Sequence, residues 1–301
     1  MLRSPLPTLV LLSALLAGAT PAAADGPVVP PAGWTQGRVL TEDGARLNYW
    51  RTGGDKPPLL LLHGFSDDGL CWTEVAAKLE ADYDVIMTDA RGHGLSDPPA
   101  AGDQMAAQVR DIGTVIAALE LKNPIVMGHS MGSASAATFA AASPEAPRAV
   151  VLVDPRLTPW PQRDGEGNDD PDRERRAMRQ ILDRNNTSYE DLLATCQRQD
   201  PGWSRTESEY WARSKQLYHP HLARRSKGER QSMGELFSKI TAPTLILKAD
   251  ASAEEQTENQ QIADGLKNGK LVHVPDAGHS VHRDELGRFL QELDGFLDGL
   301  E

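Results

Sequence analysis

The sequence predicts an α/β protein with a mostly parallel central sheet, helices on both faces and an inserted helical cap. Three observations carry this. Short apolar runs at 58–63 (PLLLLH), 83–88, 124–128, 149–153, 244–248 and 270–274 recur along the chain. Most lack polar alternation, which fits strands buried on both faces, as parallel strands are. Segments of helical spacing separate them, and strand–helix alternation is the signature of a parallel sheet. Between 155 and 240 the alternation stops, and that polar stretch offers no strand candidate.

Taken in order, a Pro-rich entry at 27–31 leads into strand material over 39–52, folded around a turn at Glu42-Asp43-Gly44. The strand at 58–63 is followed by a helix over 70–81, with Trp72, Val75, Ala76 and Leu79 on one face. Strand 83–88, helix 104–119, strand 124–128, helix 131–142 and strand 149–153 complete the first half. The pattern resumes with strand 244–248, helix 255–266, strand 270–274 and helix 284–297. Inside 155–240, Ser188 and Asp191 have capping-box spacing ahead of Leu192, Leu193 and Cys196. Trp160, Tyr189, Trp203, Tyr210, Trp211 and Tyr218 also fall there, while 165–172 is a polar loop. The expected division is a core of 25–154 and 241–301, with a cap of 155–240.

Residues 1–24 have the order of a secretory signal: Arg3, an apolar run over 8–19, and Ala22-Ala23-Ala24 as a cleavage site. The run is shorter than the roughly 20 residues that span a bilayer. The expectation is therefore a secreted or periplasmic protein without a stable membrane anchor. The formal charge of −12 repels phosphate backbones and argues against nucleic acid as a partner. The eight histidines are scattered, and His219 and His221 have no third ligand nearby, so neither metal nor cofactor is expected. The two cysteines, Cys71 and Cys196, are expected to be unlinked thiols.

The chemistry is carried by Gly128-His129-Ser130-Met131-Gly132. A strand runs into this G-x-S-x-G sequence and an Ala-rich helix leaves it, the setting of a nucleophile elbow that lifts a serine hydroxyl above the sheet. Its glycines suit a bend where backbone segments approach closely. A serine nucleophile needs a base, two oxyanion donors and an orienting acid. Gly278-His279 follows the last strand, which makes His279 the base; His273 and His282 are packing or surface histidines. The oxyanion donors are the amides of Met131, next to the serine, and of Phe65 in His63-Gly64-Phe65. His63 is expected to hold that loop by hydrogen bonds.

With Asp89-Ala90-Arg91-Gly92-His93-Gly94-Leu95-Ser96 added to these motifs, the chain resembles the α/β-hydrolase superfamily over nearly all of its length beyond 1–24. The resemblance implies a structural role for the loop at 89–96 and offers two places for the triad acid. One follows the strand after the cap, where Asp250 stands two residues ahead of the usual position, which holds Ser252. The other ends the strand after the nucleophile's helix, at Asp154; Asp154 is favoured, with Asp250 the alternative. The expected activity is hydrolysis of a small-molecule ester or lactone. HGFSDDGLCW and VVLVDP are similar to a branch that includes macrolide esterases. Carbon–carbon hydrolysis, haloperoxidase-like chemistry and a non-catalytic ligand receptor are the competing readings within the superfamily.

Overall fold

The computed structural model describes residues 29–99, 104–158, 171–223 and 231–300. The leader expected over 1–24, Trp160 and all but the last two residues of the 165–172 loop lie outside them.

Eight strands form one sheet: β1 (Thr35–Leu40), β2 (Arg46–Arg51), β3 (Pro58–Leu62), β4 (Asp84–Thr88), β5 (Ile125–His129), β6 (Ala149–Val153), β7 (Thr244–Lys248) and β8 (Gly269–His273). Their spatial order is β1-β2-β4-β3-β5-β6-β7-β8. β1 and β2 pair antiparallel and β2 joins β4 antiparallel; every later pairing is parallel.

The apolar runs are explained by the two faces of this sheet. Along β3, Leu59 and Leu61 point into one core layer, and Leu60 and Leu62 into the other. Val85 and Met87 oppose Ile86 in the same way, as Val151 and Val153 oppose Val150 and Leu152. The first layer is closed by α1 (Thr73–Leu79) and α10 (Leu286–Leu297), through Val75, Ala76, Leu79, Phe289, Leu293 and Leu297. The second is closed by α2 (Gln104–Ala118), α3 (Met131–Ala142) and α8 (Ala253–Ala263). Each face therefore hides its own half of every run.

Element ends differ from expectation where local chemistry decides them. The helix expected over 70–81 begins as a 3-10 turn, Gly69–Trp72, because the Asp68 carboxylate accepts from Leu70 N–H and tightens the entry. The helix expected over 255–266 starts at Ala253, where Ser252 caps it and Glu255 completes a capping box. A short helix α9 (Val281–Asp284) precedes α10 in place of one continuous element.

Between β6 and β7 the described residues hold helices and no strand: α4 (Pro171–Asn185), α5 (Tyr189–Gln199), α6 (Arg205–Gln216), a 3-10 turn Pro220–Ala223 and α7 (Met233–Phe237). Ser188 caps α5 by accepting from Asp191 N–H. Cys71 and Cys196 are both buried and unbonded to each other. Among the described residues, no helix is long and apolar enough to cross a membrane.

Candidate active site

Ser130 sits between β5 and α3 at φ 52°, ψ −107°, a backbone conformation that non-glycine residues rarely adopt. The flanking glycines permit the bend. A Cβ on Gly128 would stand 2.3 Å from the Gly132 carbonyl, and one on Gly132 would stand 2.2 Å from the Leu62 oxygen. The Ser130 amide donates to Val153 O at 2.9 Å, and the Ser133 hydroxyl reaches the same carbonyl at 2.9 Å.

The structure brings the sequence-predicted residues together. His279 Nε2 lies 2.9 Å from Ser130 Oγ, and His279 Nδ1 lies 2.5 Å from Asp154 Oδ2. Asp154 follows β6 with φ 43° and is buried, whereas His279 is exposed. The second Asp154 oxygen faces Lys248 Nζ at 2.5 Å and accepts from Ala249 N–H at 3.2 Å. Burial alone would raise the Asp154 carboxyl, but the His279 hydrogen bond and the Lys248 charge outweigh it and hold it at about 2.

Asp250 is not at the histidine. Its exposed carboxylate accepts from Ala251 N–H at 2.8 Å and Asp276 N–H at 3.1 Å, bracing the turn that carries His279. In its place β7 ends in Lys248, which also donates to Pro155 O at 2.9 Å.

Neither the Phe65 nor the Met131 amide has a protein acceptor among the described residues. His63 holds the Phe65 loop as expected: its Nδ1–H donates to Gly64 O at 2.7 Å, and its Nε2 accepts from Ala90 N–H at 2.9 Å. The second contact fixes the tautomer, since only a bare nitrogen can accept. The 89–96 loop is likewise pinned. Asp89 accepts from Asn48, Gly69 and Leu95, and the Arg91 guanidinium pairs with Asp111 and Asp43, both at 2.6 Å.

Sequence reasoning passed over two features. His129 is buried, and its Nε2–H donates to the His279 carbonyl at 2.9 Å, tying the His279 backbone to the elbow. Burial first, then the nearby His279 and Arg283, pushes His129 down to about 4, so it is neutral. Its ring is followed by His282, which stacks on Trp72 at 4.2 Å. The second feature is a buried ionic cluster of Asp67, Lys215, Arg283 and Glu207. Position beside Ser130 in G-H-S-M-G was the only available signal for the first, and adjacency to the HGF and GH motifs the only signal for Asp67 and Arg283.

A family model described as alpha/beta hydrolase fold matches residues 57–286. The chain belongs to the alpha/beta hydrolase fold family. Among curated relatives, the 2-(acetamidomethylene)succinate hydrolase of Mesorhizobium japonicum is 27% identical over 265 residues, 82% of this chain and 90% of that protein. An uncharacterized protein of Mycobacterium tuberculosis is 35% identical over 104 residues, which span 35% of this chain and only 30% of that relative. Two solved structures share the fold. An E-2-(acetamidomethylene)succinate hydrolase gives a TM-score of 0.71 at 22% identity, covering 88% of this chain and 99% of the other. The esterase RhEst1 from Rhodococcus sp. ECU1013 gives 0.68 at 23% identity, with coverage of 88% and 99%. Family membership and relatives named as hydrolases support hydrolysis as the reaction class. No group of three or more potential metal ligands occurs among the described residues.

Proposed function

We propose that this alpha/beta hydrolase is a serine hydrolase that cleaves an ester, as a carboxylesterase or lactonase, through an acyl-enzyme. The observation that carries this reading is the unbroken relay Ser130–His279–Asp154, with contacts of 2.9 and 2.5 Å. Ser130 Oγ attacks the carbonyl carbon as its proton passes to His279 Nε2. Asp154 holds the tautomer that leaves Nε2 bare and stabilises the imidazolium once it forms. The developing oxyanion is received by the Met131 and Phe65 amides. Collapse expels the alcohol, which takes the proton from His279, and water repeats the sequence to release the acid and free Ser130. Ester is favoured over amide because an alkoxide leaves more readily than an amine.

The test is labelling of the full chain with a fluorophosphonate probe, then a screen of short esters, long esters, lactones and macrolides. Ser130→Ala is the blank. The expected result is labelling that requires Ser130 and turnover on at least one ester class. A folded wild-type protein that is neither labelled nor active overturns the proposal and leaves the ligand-receptor reading. Hydrolysis of macrolides alone would narrow the assignment to that branch. In this reading 155–240 forms the cap over the site, and 1–24 is a leader directing the protein out of the cytoplasm. Fractionation of expressing cells tests the second point: full-length chain retained in the cytoplasm would reject it.

A further inference from the structure

Two segments used by the proposed reaction, the HGF loop and the chain after His279, meet helix α6 in the buried cluster of Asp67, Lys215, Arg283 and Glu207. Asp67 follows the HGF motif, Arg283 lies four residues beyond His279, and Glu207 and Lys215 stand at opposite ends of α6. Asp67 Oδ1 is 2.5 Å from Lys215 Nζ and Asp67 Oδ2 is 3.0 Å from Arg283, whose Nε is 2.5 Å from Glu207. Their side chains are only 3–7% exposed. Buried ion pairs are poor devices for stability alone, since apolar packing often does as well. Where this one directs its hydrogen bonds is therefore the informative feature.

Lys215 reaches three acceptors, all on two consecutive residues: Asp67 Oδ1 at 2.5 Å, Ser66 O at 2.8 Å and Ser66 Oγ at 3.2 Å. An ammonium has three donors, so none is left over. Those two residues close a tight turn in which Asp67 N–H donates to Gly64 O at 3.2 Å, with Phe65 and Ser66 at its centre. Ser66 has φ 67°, at the turn position where a positive φ ordinarily calls for glycine. A serine stays there only when its surroundings over-determine it. The preceding residue is Phe65, whose amide must point at the oxyanion.

We propose that Lys215 is a positioning residue: from the helical insertion it pins the strained Ser66–Asp67 turn and so aims the Phe65 N–H at the oxyanion. Lys215 is buried with its donors spent on the turn, so its removal acts on the chemical step and not on substrate capture. The cap helix and the oxyanion hole thereby form one unit. This inference rests on the serine-hydrolase reading.

The experiment compares fluorophosphonate labelling rates, and kcat and KM for p-nitrophenyl acetate, in full-length wild type, Ser130→Ala, Lys215→Met, Lys215→Met with Asp67→Asn, and Lys215→Met with Ser66→Gly. Asp67→Asn removes one charge of the opposite sign together with the lysine, so the net charge of the cluster is unchanged and Arg283 keeps Glu207 as its partner. Glycine accepts the turn conformation without strain. Expected are a loss of roughly 10- to 100-fold in labelling and kcat for the first two Lys215 variants, the scale of an impaired oxyanion donor, with KM within about threefold. The glycine variant should recover most of that loss. Wild-type rates in either folded Lys215 variant overturn the positioning role, as does failure of glycine to restore any activity. An unlabelled wild type removes the serine-hydrolase reading itself, and the inference with it.

Discussion

Replacing Asp154 by asparagine exchanges one oxygen for an NH2 group at nearly constant shape, and the surroundings decide which way the amide turns. On one side stands His279 Nδ1 at 2.5 Å; on the other stand two donors, Lys248 Nζ at 2.5 Å and Ala249 N–H at 3.2 Å. The single amide oxygen satisfies the two donors best, since turning NH2 toward an ammonium and an N–H would set donor against donor. The NH2 group then faces His279 and makes Nδ1 an acceptor, which moves the ring proton to Nε2. That nitrogen, 2.9 Å from Ser130 Oγ, can no longer take the serine proton. The wrong tautomer in a serine triad costs about 10⁴ in kcat, or about 5.5 kcal/mol of barrier. Asp250→Asn keeps an oxygen for one of its two exposed amide donors and should stay within about twofold of wild type. The assay is kcat on p-nitrophenyl acetate, with melting curves to establish that both variants are folded. The reasoning fails if Asp154→Asn retains more than about a tenth of the activity, or if Asp250→Asn proves the more damaged.

Three further outcomes can be checked. Phe65→Pro deletes one proposed oxyanion donor at a turn position that proline favours, so kcat should fall roughly 10²–10³-fold while Phe65→Ala, which keeps the amide, falls far less; equal losses would place the effect in the ring. Lys248→Met removes the cation beside Asp154 and should lower kcat/KM roughly tenfold, about one charge-assisted hydrogen bond. An unchanged kcat/KM in the folded variant counts against this. Glu207 is pushed up to about 7 by burial, against the pull of Arg283, from an ordinary value of 4.5. The folded state therefore holds this proton more tightly than the unfolded chain. Its contribution is fully present below 4.5 and is lost as pH rises through about 7, a span worth roughly 3 kcal/mol. Urea unfolding across that range should show wild-type stability falling more steeply than that of Glu207→Gln, and parallel curves would reject the assignment.

The strands and the bend that carries Ser130 were legible because each follows from local rules. Uninterrupted apolar runs such as PLLLL are required when both faces of a strand are covered, and G-H-S-M-G encodes a bend only glycines permit. The choice between Asp154 and Asp250 rested on resemblance, because two positions with carboxylates look alike until strand order is known. Once β6 lies between β5 and β7, residue 154 reaches the histidine while 250 is committed to the loop's own amides. The ionic cluster was illegible for a different reason. Arg283, Glu207 and Lys215 stand in polar stretches typical of exposed surface, and only the approach of α6 to the 64–67 turn buries them. His129 was hidden by its motif, in which that position is variable and the partner is a main-chain oxygen 150 residues away.

The Val153 carbonyl, shared by the Ser130 amide and the Ser133 hydroxyl, has a consequence for wear under heat. Ser130 and Asp154, the proposed nucleophile and acid, ride on adjoining rungs of the same ladder, with His129 opposite Val153, and cannot separate until the ladder breaks. The imidazole alone arrives on a strap of irregular chain, fastened by Asp250 and by the His129 ring. Gentle warming should therefore silence the protein by slackening that strap while the scaffold is still intact, and cooling should restore it. Efforts to harden the protein belong at 274–280, not in the leucine and valine layers on the two faces of the sheet, which are already closed.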